Sequence, residues 1–240
     1  MVKSGSGKGS KTLCLIGGGK GARYIINRIA EIQNSIGNVP IYRDIVFVDD
    51  NVSKPIDLGE LNIQLSPGTI ESLGKFSDVD KLDPEKYDLF ITFSKDMKLR
   101  SDLFDRFRDR FDFACLYRDN PPLITMGVGN FVFDHSLIEP FASIGDNNVI
   151  SSATVINHHN VIGDSNLFGP GCFLSGSVRV GNRCRIGGGV VLEPGVKIGD
   201  DCDIASGTVI TTDLPAKTRV LAYRDMKQKG VYQGNRIIRN

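Results

Sequence analysis

The chain has three histidines, His135, His158 and His159, and two of them are adjacent in Ile156-Asn157-His158-His159-Asn160. Imidazole changes charge between about pH 5 and 8, so an exposed one exchanges protons near neutrality. His158 is therefore a candidate general base, with His159 beside it, although the same spacing suits an ordinary surface pair. No cysteine or acidic residue stands next to them in sequence, so no metal is expected. A second group of residues lies near the start, in Gly17-Gly18-Gly19-Lys20-Gly21. Backbone amides at a helix N-terminus attract phosphate, and glycine lets the phosphate come close. Asp49 and Asp50 follow a second apolar run, where an α/β fold places groups for a ribose or a base. A tight turn with no ligand has the same look, and Lys20 suits either a phosphate or solvent. Gly7-Lys8-Gly9 lacks the Ser or Thr of a phosphate loop and follows no strand, so residues 1–11 are expected to be a flexible leader or tag.

The element that must carry His158 and His159 is a repeat. Large apolar residues recur every six positions from Ile138 through Ile144, Ile150, Ile156, Ile162, Phe168, Leu174, Val180, Ile186, Leu192, Ile198 and Ile204 to Ile210. A helix repeats every 3.6 residues and a strand every two, so neither makes this pattern alone. A coil whose flat sides each hold one hexad does, and a hexapeptide period marks a β-helix. Four residues after each apolar one stands mostly a small or β-branched residue, among them Asn148, Thr154, Asn160, Cys172, Val190 and Thr208, suited to a tight interior. Gly145, Gly163, Gly169, Gly181, Gly187 and Gly199 come directly after the apolar residue, where a corner is expected to need little bulk and permissive φ. The residues two and three after the apolar one are expected to point outward, which puts His158 and His159 on the coil surface.

The glycine turn is positioned differently. Thr12–Ile16 reads as a buried strand, Ala22–Ile32 as a helix with Ile25, Ile26, Ile29 and Ala30 on one face, and Asp44–Val48 as a second strand. Further strands are expected at Tyr87–Phe93 and Phe113–Leu116, with a helix over Met97–Arg110 whose stripe is Leu99, Leu103, Phe104 and Phe107. Alternating strands and helices imply a small parallel sheet covered on both faces. Asp119-Asn120-Pro121-Pro122 marks a boundary. The expected layout is an α/β domain over 12–122, a β-helix over 126–215 and a basic tail over 216–240, which has seven basic residues and one acid.

Composition excludes several classes. The 240 residues carry a net charge of +1, which gives nucleic-acid binding no support. No apolar run is long enough for a signal peptide or a membrane span, so no membrane insertion is expected. The five cysteines form no close Cys-x-x-Cys pair; Cys172, Cys184 and Cys202 fall at the small interior position, and an odd number of thiols suits a cytoplasmic location.

Taken with the small α/β domain before them, hexads such as Ile162-Gly163-Asp164 and Ile198-Gly199-Asp200-Asp201, and Val155-Ile156-Asn157-His158, give a specific resemblance. The chain resembles the left-handed β-helix acyltransferases of bacteria, in the group that includes nucleotide-4-amino-sugar N-acetyltransferases and sialic acid O-acetyltransferases. The resemblance implies a Rossmann-like α/β domain followed by a left-handed parallel β-helix, a homotrimer, and acetyl-CoA in the groove between neighbouring coils. It implies that Gly17, Gly18, Gly19, Lys20, Asp49 and Asp50 hold the nucleotide sugar. It also implies that His158 is the general base and that Gly176, Gly188 and Ser206 border acetyl-CoA. Three positions depart from the family: His159 replaces an acidic neighbour, Leu167 stands where a second histidine is common, and Tyr223-Arg224-Asp225-Met226 replaces Gly-x-Pro-Ala. The expected activity is acetyl transfer to a sugar amine or hydroxyl, with N-transfer favoured; the alternative is a nucleotide-sugar-binding trimer that has lost transfer.

Overall fold

The computed structural model describes residues 2–3, 11–35, 41–59, 69–117, 123–221 and 237–239. They fall into two compact units, Met1–Leu116 and Tyr117–Asn240. The glycine-rich run at 4–10 and the Asp119–Pro122 break lie outside the described residues.

In the first unit the order is β1 (Val2–Lys3), β2 (Thr12–Ile16), α1 (Lys20–Ser35), β3 (Ile45–Val48), β4 (Ile56–Asp57), β5 (Thr69–Ile70), a 3₁₀ turn over Phe76–Lys81, β6 (Tyr87–Ile91), α2 (Met97–Phe107) and β7 (Cys115–Leu116). β2 is the centre of a parallel sheet ordered β3-β2-β6. All five of its residues are buried, which is why it reads as an unbroken apolar run. α1 buries Ile25, Ile26, Ile29 and Ala30, and Cys14, Ile16, Leu89, Phe104 and Phe107 belong to one core cluster with Val48.

Two expectations change here. Leu99 was placed on the buried stripe of α2, yet it is 38% exposed and Arg100 is 1% exposed in its stead. The first turn of α2 lies over the end of β6, where bare carbonyls face inward. The Arg100 guanidinium donates to the carbonyls of Ile91 at 2.5 Å and Phe93 at 3.1 Å, contacts that leucine cannot make. Burial pulls its pKa down to about 9, and the group still carries its charge at neutral pH. Lys11, expected in the leader, is also buried, pairing with Asp88 at 3.0 Å and Asp112 at 2.9 Å. β1 pairs antiparallel with β7, Val2 opposite Leu116.

The second unit is a parallel coil. Its two-residue strands form three ladders, and each strand pairs with the one a full turn later: Leu137 faces Val155 and Val155 faces Phe173, a step of 18 residues (155 − 137). The first face stacks the strands Thr125–Met126, Ser143–Ile144, Val161–Ile162, Arg179–Val180 and Lys197–Ile198. The second stacks those from Phe131–Val132 through Val149–Ile150, Leu167–Phe168 and Arg185–Ile186 to Asp203–Ile204. The third stacks Leu137–Ile138, Val155–Ile156, Phe173–Leu174, Val191–Leu192 and Val209–Ile210. All thirteen apolar residues of the repeat are buried, as the spacing requires.

The small interior position is buried throughout as well, and it carries its own hydrogen bonds. Oδ1 of Asn130 accepts from the Asn148 amide, Asn148 from Asn166, and Asn166 from Cys184, while the Asn148 and Asn166 Nδ2 groups donate to the Gly163 and Gly181 carbonyls. Cys184 and Cys202 extend the column, their thiols donating to the Gly199 and Pro215 carbonyls. These cysteines are interior packing, and the neighbouring Cys202 side chain, together with burial, raises the Cys184 thiol.

The reason for the repeated glycines needs correcting. Gly145, Gly163, Gly169, Gly181, Gly187 and Gly199 do not have positive φ. They are small because the next coil is in contact: a Cβ at Gly187 would run into the Ser206 amide nitrogen, and one at Gly199 into that of Ala216. The left-handed residue is instead the third after each apolar one, as at Asn147 (φ 57°), Ala153 (59°), His159 (60°), Ser165 (57°) and Gly171 (68°). The tail also changes: Thr218–Val220 pairs parallel with Asp203–Ile204 and extends the second face, and Ile237–Arg239 adds an antiparallel strand to it. Residues 222–236, with Tyr223–Met226, lie outside the described residues.

Candidate active site on the coil and the glycine turn

His158 follows the third-face strand Val155–Ile156 by two residues, so it occupies the turn after that face. It is exposed, as is His159. Its backbone amide donates to Glu139 Oε2 at 2.9 Å, and its carbonyl accepts from the Ser177 amide at 3.0 Å. Its ring lies over Gly176, where a Cβ would come 2.7 Å from Cε1. Its Nδ1 is 3.0 Å from Nδ1 of His159. The other face of that pair meets Phe141, whose ring centroid is 5.0 Å from that of His159. Among the described residues Nε2 has no hydrogen-bond partner, so the nitrogen that could take a proton is open.

Glu139 and Phe141 escaped the sequence reading. The signal for them is the 18-residue step: Ile138 pairs with Ile156, so the residues after Ile138 stack on those after Ile156.

The three positions expected to border acetyl-CoA are not in one column. Gly176 stacks in the turn of His158. Gly188 and Ser206 occupy the turn after the second face, where Gly188 approaches Pro170, its Cβ position 3.1 Å from the Pro170 carbonyl oxygen. Both columns edge the third face. Leu167, at the position of the second histidine in the family, is outward on the second face and half-buried.

At the other candidate site, β2 ends in the glycine turn and α1 starts at Lys20. This is the carboxyl end of the sheet, at the point where the chain has strands on both sides of β2, the usual ligand position in open α/β sheets. Gly17 has φ 111° and Gly18 packs on Phe47, with 2.5 Å from a Cβ to the ring. A Cβ at Gly21 would run into the Thr92 carbonyl oxygen, and one at Gly19 meets nothing within 4 Å. Asp49 holds the turn together: Oδ2 accepts from the Gly18 amide at 2.7 Å, and Oδ1 accepts from Asn51 at 2.7 Å and Val52 at 2.9 Å. Asp50 Oδ1 accepts from the Phe76 amide at 3.0 Å. A carboxylate on the Gly18 amide repels a phosphate there. The open approach is at Gly19 and exposed Lys20, beside first-turn amides that have no intrahelical partner.

No helix of the described residues is long and apolar enough to cross a membrane. The bacterial transferase hexapeptide (six repeats) matches residues 159–194 and 177–212. No curated protein matches the chain by sequence. Among solved structures, the acetyltransferase domain of PglB from Neisseria gonorrhoeae FA1090, in complex with acetyl coenzyme A, superposes with a TM-score of 0.72 at 22% identity, covering 88% of this chain and 96% of that one. A mutant of perosamine N-acetyltransferase from Caulobacter crescentus, in complex with CoA and GDP-perosamine, gives 0.71 at 25% identity, covering 90% and 96%. WeeI from Acinetobacter baumannii AYE gives 0.66 at 16%, covering 88% and 97%. The coil thus has the left-handed β-helix fold, with a short α/β region before it. With hexapeptide repeats matched over residues 159–212 and solved acetyltransferases as its structural neighbours, the chain is an acyltransferase built on a left-handed β-helix.

Proposed function

We propose that the chain transfers the acetyl group of acetyl-CoA to the amine of a nucleotide-linked sugar. The observation that carries this is His158: an exposed imidazole with an open Nε2, set on a coil whose structural neighbours were solved with acetyl-CoA, or with CoA and GDP-perosamine. The acceptor nitrogen attacks the thioester carbonyl carbon, the C–S bond breaks, and His158 Nε2 takes the proton the nitrogen sheds and returns it to the departing thiolate. The nucleotide end binds over Gly19 and Lys20, Asp49 fixing the turn that presents them. Gly176, Gly188 and Ser206 line the acetyl-CoA groove.

The direct test is thiol release from acetyl-CoA with GDP-, UDP- and dTDP-linked 4-amino sugars, each beside its 4-hydroxy counterpart. Release with an amino sugar and none with the hydroxy form supports N-transfer. Release with the hydroxy form alone moves the reading to O-transfer. Binding of the sugars without release points to the trimer that has lost transfer.

A homotrimer belongs to this reading. The outward residues of the third face form an apolar column in register, Leu137, Val155, Phe173, Val191 and Val209, with Leu137 53% and Phe173 41% exposed. Such a column is left open to water unless a neighbour covers it. A copy packed there borders both columns that edge the face, so the groove needs the partner. Light scattering at micromolar concentration should give three chain masses. Phe173→Glu should drop the mass to that of one chain and take most of the activity with it. A wild-type monomer that is fully active would remove the trimer from the reading.

For the glycine turn, Gly19→Val is the informative change, because its Cβ meets open space. Gly18→Val would strike Phe47 and confuse folding with binding. Gly19→Val should raise KM for the nucleotide sugar about tenfold or more, the equivalent of about 1.4 kcal/mol, and leave KM for acetyl-CoA unchanged. An unchanged sugar KM would mean that the turn is structural only.

A further inference from the structure

We infer that His159 is a positioning residue that fixes the tautomer of His158, acting as a neutral imidazole where a carboxylate would otherwise stand. The inference rests on the reading of His158 as the base. The two Nδ1 atoms are 3.0 Å apart, and a bond of that length between ring nitrogens holds one hydrogen on its line. With none, two lone pairs face each other; with two, two hydrogens do. For His158 to accept a proton at Nε2, that nitrogen must carry a lone pair, so the hydrogen of the neutral ring sits on Nδ1. The Nδ1–H of His158 therefore donates to Nδ1 of His159, and His159 carries its own hydrogen on Nε2. When His158 takes the acceptor's proton it becomes a cation and keeps the same donor bond, now charge-assisted. When it gives that proton to the thiolate, the pair returns to its starting state, and His159 neither gains nor loses a proton.

The surroundings hold this arrangement. His159 is the left-handed residue of its hexad, at φ 60°, which fixes where its side chain leaves the turn. Its ring meets Phe141 at 5.0 Å and stands nearly perpendicular to the His158 ring, at 84°. An imidazole edge-on to its neighbour presents an in-plane lone pair, the geometry an N–H···N bond needs. The His158 ring lies on Gly176, where any Cβ would displace it.

The two variants needed have precedents in the same coil. Asn147 and Ala153 occupy the equivalent turn position at φ 57° and 59°, so His159→Asn and His159→Ala keep the backbone. Asparagine offers an oxygen acceptor to the His158 Nδ1–H; alanine offers none. The protein has three histidines, so a histidine-labelled sample gives three imidazole patterns in a ¹⁵N spectrum, and these report which nitrogen bears the hydrogen. At a pH where the rings are neutral, His158 should be the Nδ1–H form in wild type and in His159→Asn, and should change to mainly the Nε2–H form in His159→Ala. In kinetics, His159→Ala should lower kcat about ten- to a hundredfold, the range seen when the outer hydrogen-bond partner of a metal-bound histidine is removed, with both KM values little changed. His159→Asn should recover most of that loss. A wild-type His158 in the Nε2–H form, or a tautomer that ignores His159→Ala, overturns the inference while leaving the transferase reading standing. The expected spectra together with no transfer to any sugar would overturn the transferase reading and leave the tautomer assignment standing.

Discussion

His158→Ala is expected to lower kcat by about 10²–10⁴-fold, the usual contribution of a positioned base. In the transfer proposed above, the attacking amine loses a proton as it adds to the thioester carbonyl, and His158 is the proposed acceptor because no hydrogen bond among the described residues occupies its Nε2. Thermal stability should change little. The side chain is exposed, its ring rests on a glycine, and the backbone amide and carbonyl that tie the turn to its neighbours survive the substitution. Paired measurement of kcat and of the unfolding midpoint separates the two effects. Full activity in His158→Ala would remove the residue from the base role, and a larger loss in His159→Ala would move the role one residue along.

The second large effect is on the fold, and it contrasts two glycines of one coil. Gly187→Ala should destabilise strongly, because the new Cβ runs into the backbone amide of Ser206 and lies 2.8 Å from the Ile204 carbonyl oxygen. Neither is the tip of a flexible side chain. Two stacked coils must separate to make room, so the cost should reach or pass the ~1–3 kcal/mol typical of overpacking. For a chain of this size that lowers the melting temperature by about 5–10 °C. Gly171→Ala should cost about 1 kcal/mol, although Gly171 has φ 68°, because its Cβ meets open space and a stiffer unfolded chain offsets part of the strain. Equal losses in the two variants would mean that contact between coils is not what selects glycine after the apolar residue. Thermal melts of the two proteins decide it.

That contrast shows where reading the sequence stops. The glycines after the apolar residue stand out by position, and two different causes fit the position equally well. Only the stacking distance between coils tells crowding from φ. Leu99 and Arg100 make the same point in the first unit. Hydropathy puts leucine inside and arginine outside, and nothing local to α2 announces the bare carbonyls of Ile91 and Phe93 that reverse the choice.

The spacing of the apolar residues dictates the coil. Thirteen apolar residues at a spacing of six all turn inward, and neither an α-helix nor a flat strand by itself singles out every sixth residue. The sequence determined the parallel β2–α1–β3 arrangement as well, because the buried runs and the amphipathic helix between them admit few other packings. It pointed to His158 and His159 by composition and place. What joins residues a full turn apart was decided by the tertiary structure: Glu139 on the His158 amide, Gly176 under its ring, Phe141 against His159. The carboxylate of Asp49 on the Gly18 amide belongs to the same class, linking residues 31 positions apart. Spacing encodes which way a side chain faces, since that is a property of the local backbone. The partner it meets there is set by the register between coils and strands, and that register exists only once the chain has closed on itself.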